Sequence, residues 1–277
     1  MDKYNIKASK RLGQNFLTDG EAACEIVNYS NISKEDLVIE IGPGLGTLTG
    51  MLLEQAEKVV CIELDERMID ILEDRFSMYN NLEIINDDVL KVDLNKLISS
   101  KPAKVVANLP YYITSPIIMK LLEDRINLQS ITVMVQKEAA DRLTAKPGKN
   151  NSGAITYGIR YYAQPERIIE VPKTSFFPVP EVDSTVIKLE ILNKPAINVK
   201  NEKLLFKVIK LAFMQKRKTL ANALSSGNTL GDKQDIEKML LNLGFDTRIR
   251  GEKLTLEEFR KDCRLHRNID KIGFSNV

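Results

Sequence analysis

The chain has 277 residues, enough to bury one substantial core with a small second domain, and its 43% hydrophobic and 28% charged content is that of an ordinary globular protein. Three scattered cysteines, Cys24, Cys61 and Cys263, exclude a disulfide framework and a cysteine-based zinc site, and no apolar run approaches the roughly 20 residues of a membrane span. The net charge of +2 hides an asymmetry: residues 1–186 hold 21 basic and 27 acidic side chains, whereas residues 187–277 hold 19 and 11.

A basic C-terminal end is either a nucleic-acid surface or a set of solvated lysine-rich helices, and charge alone does not separate the two. Residues 1–16 are polar and basic and lack the apolar core of a secretion signal. With thiols that suit a reducing compartment, the expected location is the cytoplasm.

In chain order, Leu37–Ile41, Lys58–Glu63, Leu82–Asn86, Lys104–Ala107 and Ile131–Gln136 are short, apolar and β-branched, with helix-length segments between most of them. That alternation predicts an α/β fold: a Rossmann-like, mostly parallel sheet covered by helices on both faces. Arg167–Val171 and Thr185–Ile191, separated by a proline-rich stretch, are expected to add an antiparallel edge. From Asn201 the pattern turns wholly helical. Leu204, Leu205, Val208, Ile209, Ala212 and Phe213 form one apolar face; Ile236, Met239, Leu240 and Leu243 form another that stops at Gly244. The expected organisation is a catalytic domain over residues 1–194 and a basic all-α domain over 195–277, divided near Pro195.

Gly42-Pro43-Gly44-Leu45-Gly46 follows the first predicted strand and opens a helix. Glycine-rich strand-to-helix turns serve many ligands, but GxGxG with an internal proline lacks both the dinucleotide GxGxxG and the lysine of a P-loop. It fits a nucleoside without a pyrophosphate. Glu63 ends the second strand, where a carboxylate commonly accepts both ribose hydroxyls, and Asp88 follows the third, where it can accept from an adenine amino group. Either acid alone reads as a surface residue. Together, after successive strands, they outline an adenosine site.

Asn108-Leu109-Pro110-Tyr111 sits at the carboxyl end of the fourth predicted strand, where α/β proteins keep ligands. An amide oxygen and the Leu109 carbonyl can accept the two hydrogens of an exocyclic amine while the Tyr111 ring covers the base. That set predicts alkyl transfer to a nucleobase nitrogen. No general base is needed, and the single histidine, His266, is expected at the surface.

With these motifs, Arg11-Leu12-Gly13-Gln14-Asn15-Phe16-Leu17, Ser175-Phe176-Phe177-Pro178-Val179-Pro180-Glu181-Val182-Asp183-Ser184 and Phe213-Met214-Gln215-Lys216-Arg217-Lys218-Thr219-Leu220 complete a pattern that resembles the ribosomal RNA adenine N6-dimethyltransferases nearly end to end. The last block is similar to the small-subunit type rather than to the macrolide-resistance methylases of 23S RNA. The resemblance implies S-adenosyl-L-methionine as methyl donor, S-adenosyl-L-homocysteine as product and no metal. It implies cofactor contacts from Asn15, Leu17, Gly42, Glu63, Asp88 and Asn108, with Gly44 in the same turn, and adenine contacts from Asn108, Leu109, Tyr111 and Phe176. Phe176 reads either as a core anchor or as a second stacking ring, and the family pattern favours stacking. The implied partner is the small ribosomal subunit with its 16S RNA, met by a monomer. Candidate RNA contacts are Lys10 and Arg11 with Lys7, Lys149 in the polar loop Lys146–Asn151, and Lys216, Arg217 and Lys218, expected to open a helix. The competing readings are a 23S methylase and a ribosome-assembly factor that mainly binds.

Overall fold

A computed structural model describes residues 7–98, 101–226 and 231–265 of the chain; His266 lies outside them. The chain forms two compact units. In the first, β1 (Phe16–Leu17) and α1 (Gly20–Tyr29) precede a run of alternating elements: β2 (Leu37–Ile41), α2 (Thr47–Gln55), β3 (Lys58–Glu63), α3 (Glu66–Phe76), β4 (Leu82–Asn86), β5 (Ala103–Asn108), α4 (Thr114–Glu123), β6 (Leu128–Gln136) and α5 (Lys137–Leu143). After α6 (Ala154–Tyr162) come β7 (Ala163–Val171), β8 (Phe176–Phe177) and β9 (Ser184–Ile191).

Seven strands make one sheet in the order β4-β3-β2-β5-β6-β9-β7. The five from β4 to β6 are parallel, and β9 runs antiparallel to β6 with Ser184 opposite Gln136. Strands β2, β3 and β5 are buried along nearly their whole length, which is why their sequences read as continuous apolar runs rather than alternating ones. The chain moves outward from β2 through β3 to β4, then returns to place β5 on the other side of β2. Ligand clefts in such sheets form at the carboxyl ends of the two strands flanking that reversal. Here those ends carry Gly42 and Asn108.

β1 pairs only with β8, Leu17 opposite Phe176, as a separate two-stranded ribbon. Thr18 reinforces it by donating its N–H (2.9 Å) and hydroxyl (3.0 Å) to the Ser175 carbonyl. No helix among the described residues is long and apolar enough to cross a membrane.

The second unit holds Ala145–Ala163 and the chain from Leu192 onward. Its helices are α6, α7 (Glu202–Met214), α8 (Leu220–Ser225), α9 (Lys233–Asn242) and α10 (Leu256–Leu265). This division differs from the single cut expected at 194/195. The cause is the aromatic face of α6. The fully buried Tyr157 packs its ring on Phe213 and Phe259 and donates its hydroxyl to the Leu254 carbonyl at 2.5 Å, while Tyr161 and Tyr162 hydrogen-bond Glu202. Burying three tyrosines, each with a polar partner, outweighs chain proximity to the sheet. The Lys216–Lys218 block also differs from expectation. It forms a turn after α7 rather than opening a helix, and α8 starts behind the Thr219 N-cap.

Candidate active site

One cleft of the first unit, open to solvent, gathers most of the expected site residues. Its wall includes Asn15, Leu17, Gly42, Gly44, Glu63, Asp88, Asn108, Leu109 and Tyr111. At Gly42 the backbone turns left-handed (φ 67°), and a β-carbon there would meet nothing within 4 Å. The turn after β2 therefore exposes bare backbone to the cleft, as close approach by a ligand requires.

Glu63 is 7% exposed and its carboxylate is already oriented. Oε2 accepts the Gly44 N–H (3.1 Å) and Oε1 accepts the Asp65 N–H (2.9 Å). Each oxygen keeps acceptor capacity for a further donor such as a ribose hydroxyl. Burial raises its pKa above the usual carboxylate value, offset in part by those N–H bonds. Asp88 uses one oxygen to accept the Leu90 N–H at 3.0 Å, and the neighbouring Asp87 carboxylate takes the Asp88 N–H at 2.7 Å.

Asn108 ends β5. Its Nδ2 donates to the Asn15 carbonyl at 3.1 Å, which fixes the amide and leaves Oδ1 as an acceptor without a partner among the described residues. Leu109 continues the strand pairing through its N–H to the Met134 carbonyl (3.2 Å), and the Pro110 carbonyl accepts from Ile113 and Thr114 to close the turn into α4. The tetrad is thus held by backbone on both sides. The Tyr111 hydroxyl hydrogen-bonds the Ser184 hydroxyl of β9 at 3.0 Å, and burial raises its pKa. It remains a neutral phenol at physiological pH and does not serve as a base.

Phe176 requires a correction. Expected as a bare stacking face, it is 2% exposed, packs with Leu17, Val171 and Val186 in the core, and does not line the cleft. Pairing β8 with β1 turns that ring inward and leaves the Phe177 ring outside, 54% exposed.

Three features went unread in the sequence. Gln14 donates to Asp65 Oδ2 at 2.7 Å and accepts the Ser9 N–H at 2.8 Å, clasping the N-terminal segment over α3, whose N-cap is Asp65. Ser184 is the partner of Tyr111. Glu40 lies fully buried in the middle of the site, accepting from Thr49 Oγ1 (2.7 Å) and Cys61 Sγ (3.5 Å). Gln14 and Ser184 stand inside recognised blocks, but nothing local indicates their partners.

Burial pushes the Glu40 carboxyl up to about 7 from an ordinary 4.5. Between those values the folded chain binds a proton that the unfolded chain lacks, so stability falls as pH rises from 4.5 through 7. By pH 8 the loss is on the order of 3 kcal/mol. Glu40→Gln is expected to flatten most of that decline in urea unfolding at pH 5 and pH 8. Equal slopes for the two proteins would refute the buried acid as its source.

The fold, with its cleft at the carboxyl ends of the parallel strands, is that of a Rossmann-like methyltransferase. More narrowly, the chain belongs to the ribosomal RNA adenine dimethylase family, whose model matches residues 5–259. It is 46% identical over 263 residues to the ribosomal RNA small subunit methyltransferase A of Alkaliphilus oremlandii, covering 94% of this chain and 92% of the relative. Over 262 residues it is 49% identical to the protein of that name in Clostridium acetobutylicum, covering 94% of each. Among solved structures it is similar to a dimethyladenosine transferase from Plasmodium falciparum, with TM-score 0.78, 28% identity and coverage of 92% and 98%. The 23S rRNA methyltransferase ErmE aligns with TM-score 0.68, 25% identity and coverage of 92% and 100%.

Proposed function

We propose that this enzyme transfers methyl groups from S-adenosyl-L-methionine to N6 of two adjacent adenines near the 3′ end of 16S ribosomal RNA, giving N6,N6-dimethyladenines during small-subunit assembly. The observation that carries the reading is the anchored amide of Asn108, whose free acceptor oxygen stands beside a nucleoside cradle. The similarity to small-subunit relatives at 46% and 49% identity, against 25% for the 23S enzyme, supports the substrate.

The bound cofactor supplies an electrophilic sulfonium methyl. Gly42 and Gly44 would give it backbone approach, Glu63 its ribose contacts, Asp88 its adenine contact, and Asn15 and Leu17 a cover. The adenine N6 lone pair is delocalised into the ring and is a weak nucleophile. Asn108 Oδ1 and the Leu109 carbonyl would accept the N6 hydrogens and aim that lone pair, so the chain contributes positioning rather than proton abstraction. Tyr111, pinned by Ser184, would stack on the extruded base. After the first transfer one N6 hydrogen remains, so one acceptor position must admit a methyl group.

On the RNA side, two of the expected basic segments form one surface. Lys216 Nζ donates to the carbonyls of Asn150 (2.9 Å) and Ser152 (3.2 Å), and Lys253 Nζ donates to Asn150 Oδ1 (2.7 Å). Lys216 thereby ties the 146–152 loop down, while Lys149, Arg217 and Lys218 face solvent. The side chain of Lys10 lies outside the described residues; Arg11 is exposed. Arg217→Gln with Lys218→Gln should lower the salt slope of small-subunit binding by about 2, because each phosphate contact contributes roughly one. An unchanged slope, or an equal loss of cofactor affinity, would remove them from the RNA contact.

The test of the whole assignment supplies labelled cofactor with unmethylated small subunits, large subunits or naked RNA and maps the modified nucleotide. Label confined to the large subunit would overturn it.

A further inference from the structure

Tyr112 follows the tetrad directly and is not among the target-base contacts proposed above. It lines the cleft in the turn between β5 and α4, yet its side chain is 58% exposed. A single exposed aromatic is unremarkable on a protein surface. This ring, however, is seated. A β-carbon at residue 13 would lie 3.1 Å from its Cδ1 and 3.3 Å from its Cε1, so the ring rests on the backbone of Gly13, itself left-handed at φ 60°. Glycine at that position serves both the turn and the contact. The neighbouring Leu12 also lines the cleft, and Arg11, one residue further, is exposed. An aromatic platform held in place in the lining of the cleft, with an exposed arginine two residues before its support in the chain, offers the two parts of a single-nucleotide subsite: a stacking face and a phosphate partner.

We propose that Tyr112, seated on Gly13 with Arg11 alongside in sequence, is a positioning subsite for the nucleotide next to the target adenine. Extruding a base strips its neighbour of a stacking partner, and the Tyr112 ring replaces it. Stacking of this kind tolerates any base, so the subsite sets the position of the strand rather than reading its sequence. The inference rests on the RNA-adenine reading above and extends it beyond the target base.

The test uses the full chain and small-subunit particles. Tyr112→Ala should lower kcat/KM for the particle about 10-fold or more, through KM, with S-adenosylmethionine affinity unchanged, and Tyr112→Phe should restore it. Particles are then reconstituted with RNA carrying an abasic residue on the 5′ or the 3′ side of the target adenine. In one of the two, the wild type should lose the same factor and Tyr112→Ala nothing further, as partners in one contact do. Losses that multiply in both particles would overturn the subsite, as would a Tyr112→Ala effect within twofold of wild type or a parallel fall in cofactor affinity. Wild-type transfer to the unaltered particle is the control. Its absence would remove the substrate assignment, whereas normal transfer with any overturning result removes only the role of the ring.

Discussion

Asn108→Ala is expected to lower the rate of methyl transfer at saturating substrates by about 100- to 1000-fold, the scale seen when a preorganised hydrogen-bonding group at a reacting centre is deleted. Two functions leave with one side chain. Its Oδ1 is the proposed acceptor for the N6 hydrogens, and its Nδ2 bond to the Asn15 carbonyl (3.1 Å) holds the N-terminal segment against the end of β5. The stability cost should stay near 1 kcal/mol, the net worth of one part-buried hydrogen bond, so the variant folds. Asn108→Asp separates the functions. It keeps an oxygen but loses the donor and sets a carboxylate against the Asn15 carbonyl, so it should recover little activity. Rapid quench with labelled cofactor and thermal unfolding of the same samples make the check. Near wild-type transfer by Asn108→Ala would discard the proposed mechanism.

The second large effect is on cofactor affinity. Glu63→Ala should weaken S-adenosylmethionine binding at least about 100-fold, because hydrogen bonds to a charged acceptor contribute roughly 1.5–3 kcal/mol each and two ribose hydroxyls are at stake. The same change strips the Gly44 and Asp65 N–H groups of their acceptor, loosening the turns that shape the cradle. Glu63→Gln retains one acceptor oxygen and should fall between the two. A pH dependence follows from burial, which raises the Glu63 pKa: cofactor affinity should drop as pH falls through that raised value, where the protonated form accepts less well. Calorimetric titration with S-adenosylhomocysteine reads all three. Unchanged affinity in Glu63→Ala would remove its ribose role.

The α/β architecture was legible because its signals are local. Leu37–Ile41 and Lys58–Glu63 form strands over the residues whose apolar runs predicted them, since a strand buried on both faces has no polar side to interrupt the run, and the half-buried edge strand Leu82–Asn86 keeps enough β-branched and apolar residues to be read as well. The site was legible for a related reason. Gly42, Glu63, Asp88 and Asn108 each stand at or just past a strand end, and parallel strands bring those ends to one edge of the sheet.

Partnerships across the fold were not legible. That Gln14 clasps Asp65 and Ser184 holds Tyr111 depends on segments 51 and 73 residues apart, and no local pattern encodes such a pair. The inward turn of Phe176 follows from a two-residue pairing with β1 that the sequence does not announce. The membership of α6 in the helical unit rests on Tyr157 meeting Phe213 and Phe259. Lys216 reads as one more surface cation until its donations to Asn150 and Ser152 show it holding a loop. By itself, then, the sequence determined the sheet, its order of elements and the chemistry gathered at one edge, because period and strand ends are properties of neighbouring residues. The tertiary structure decided which rings are bare, which charges are occupied and where the units divide, because burial and pairing exist only once distant segments meet.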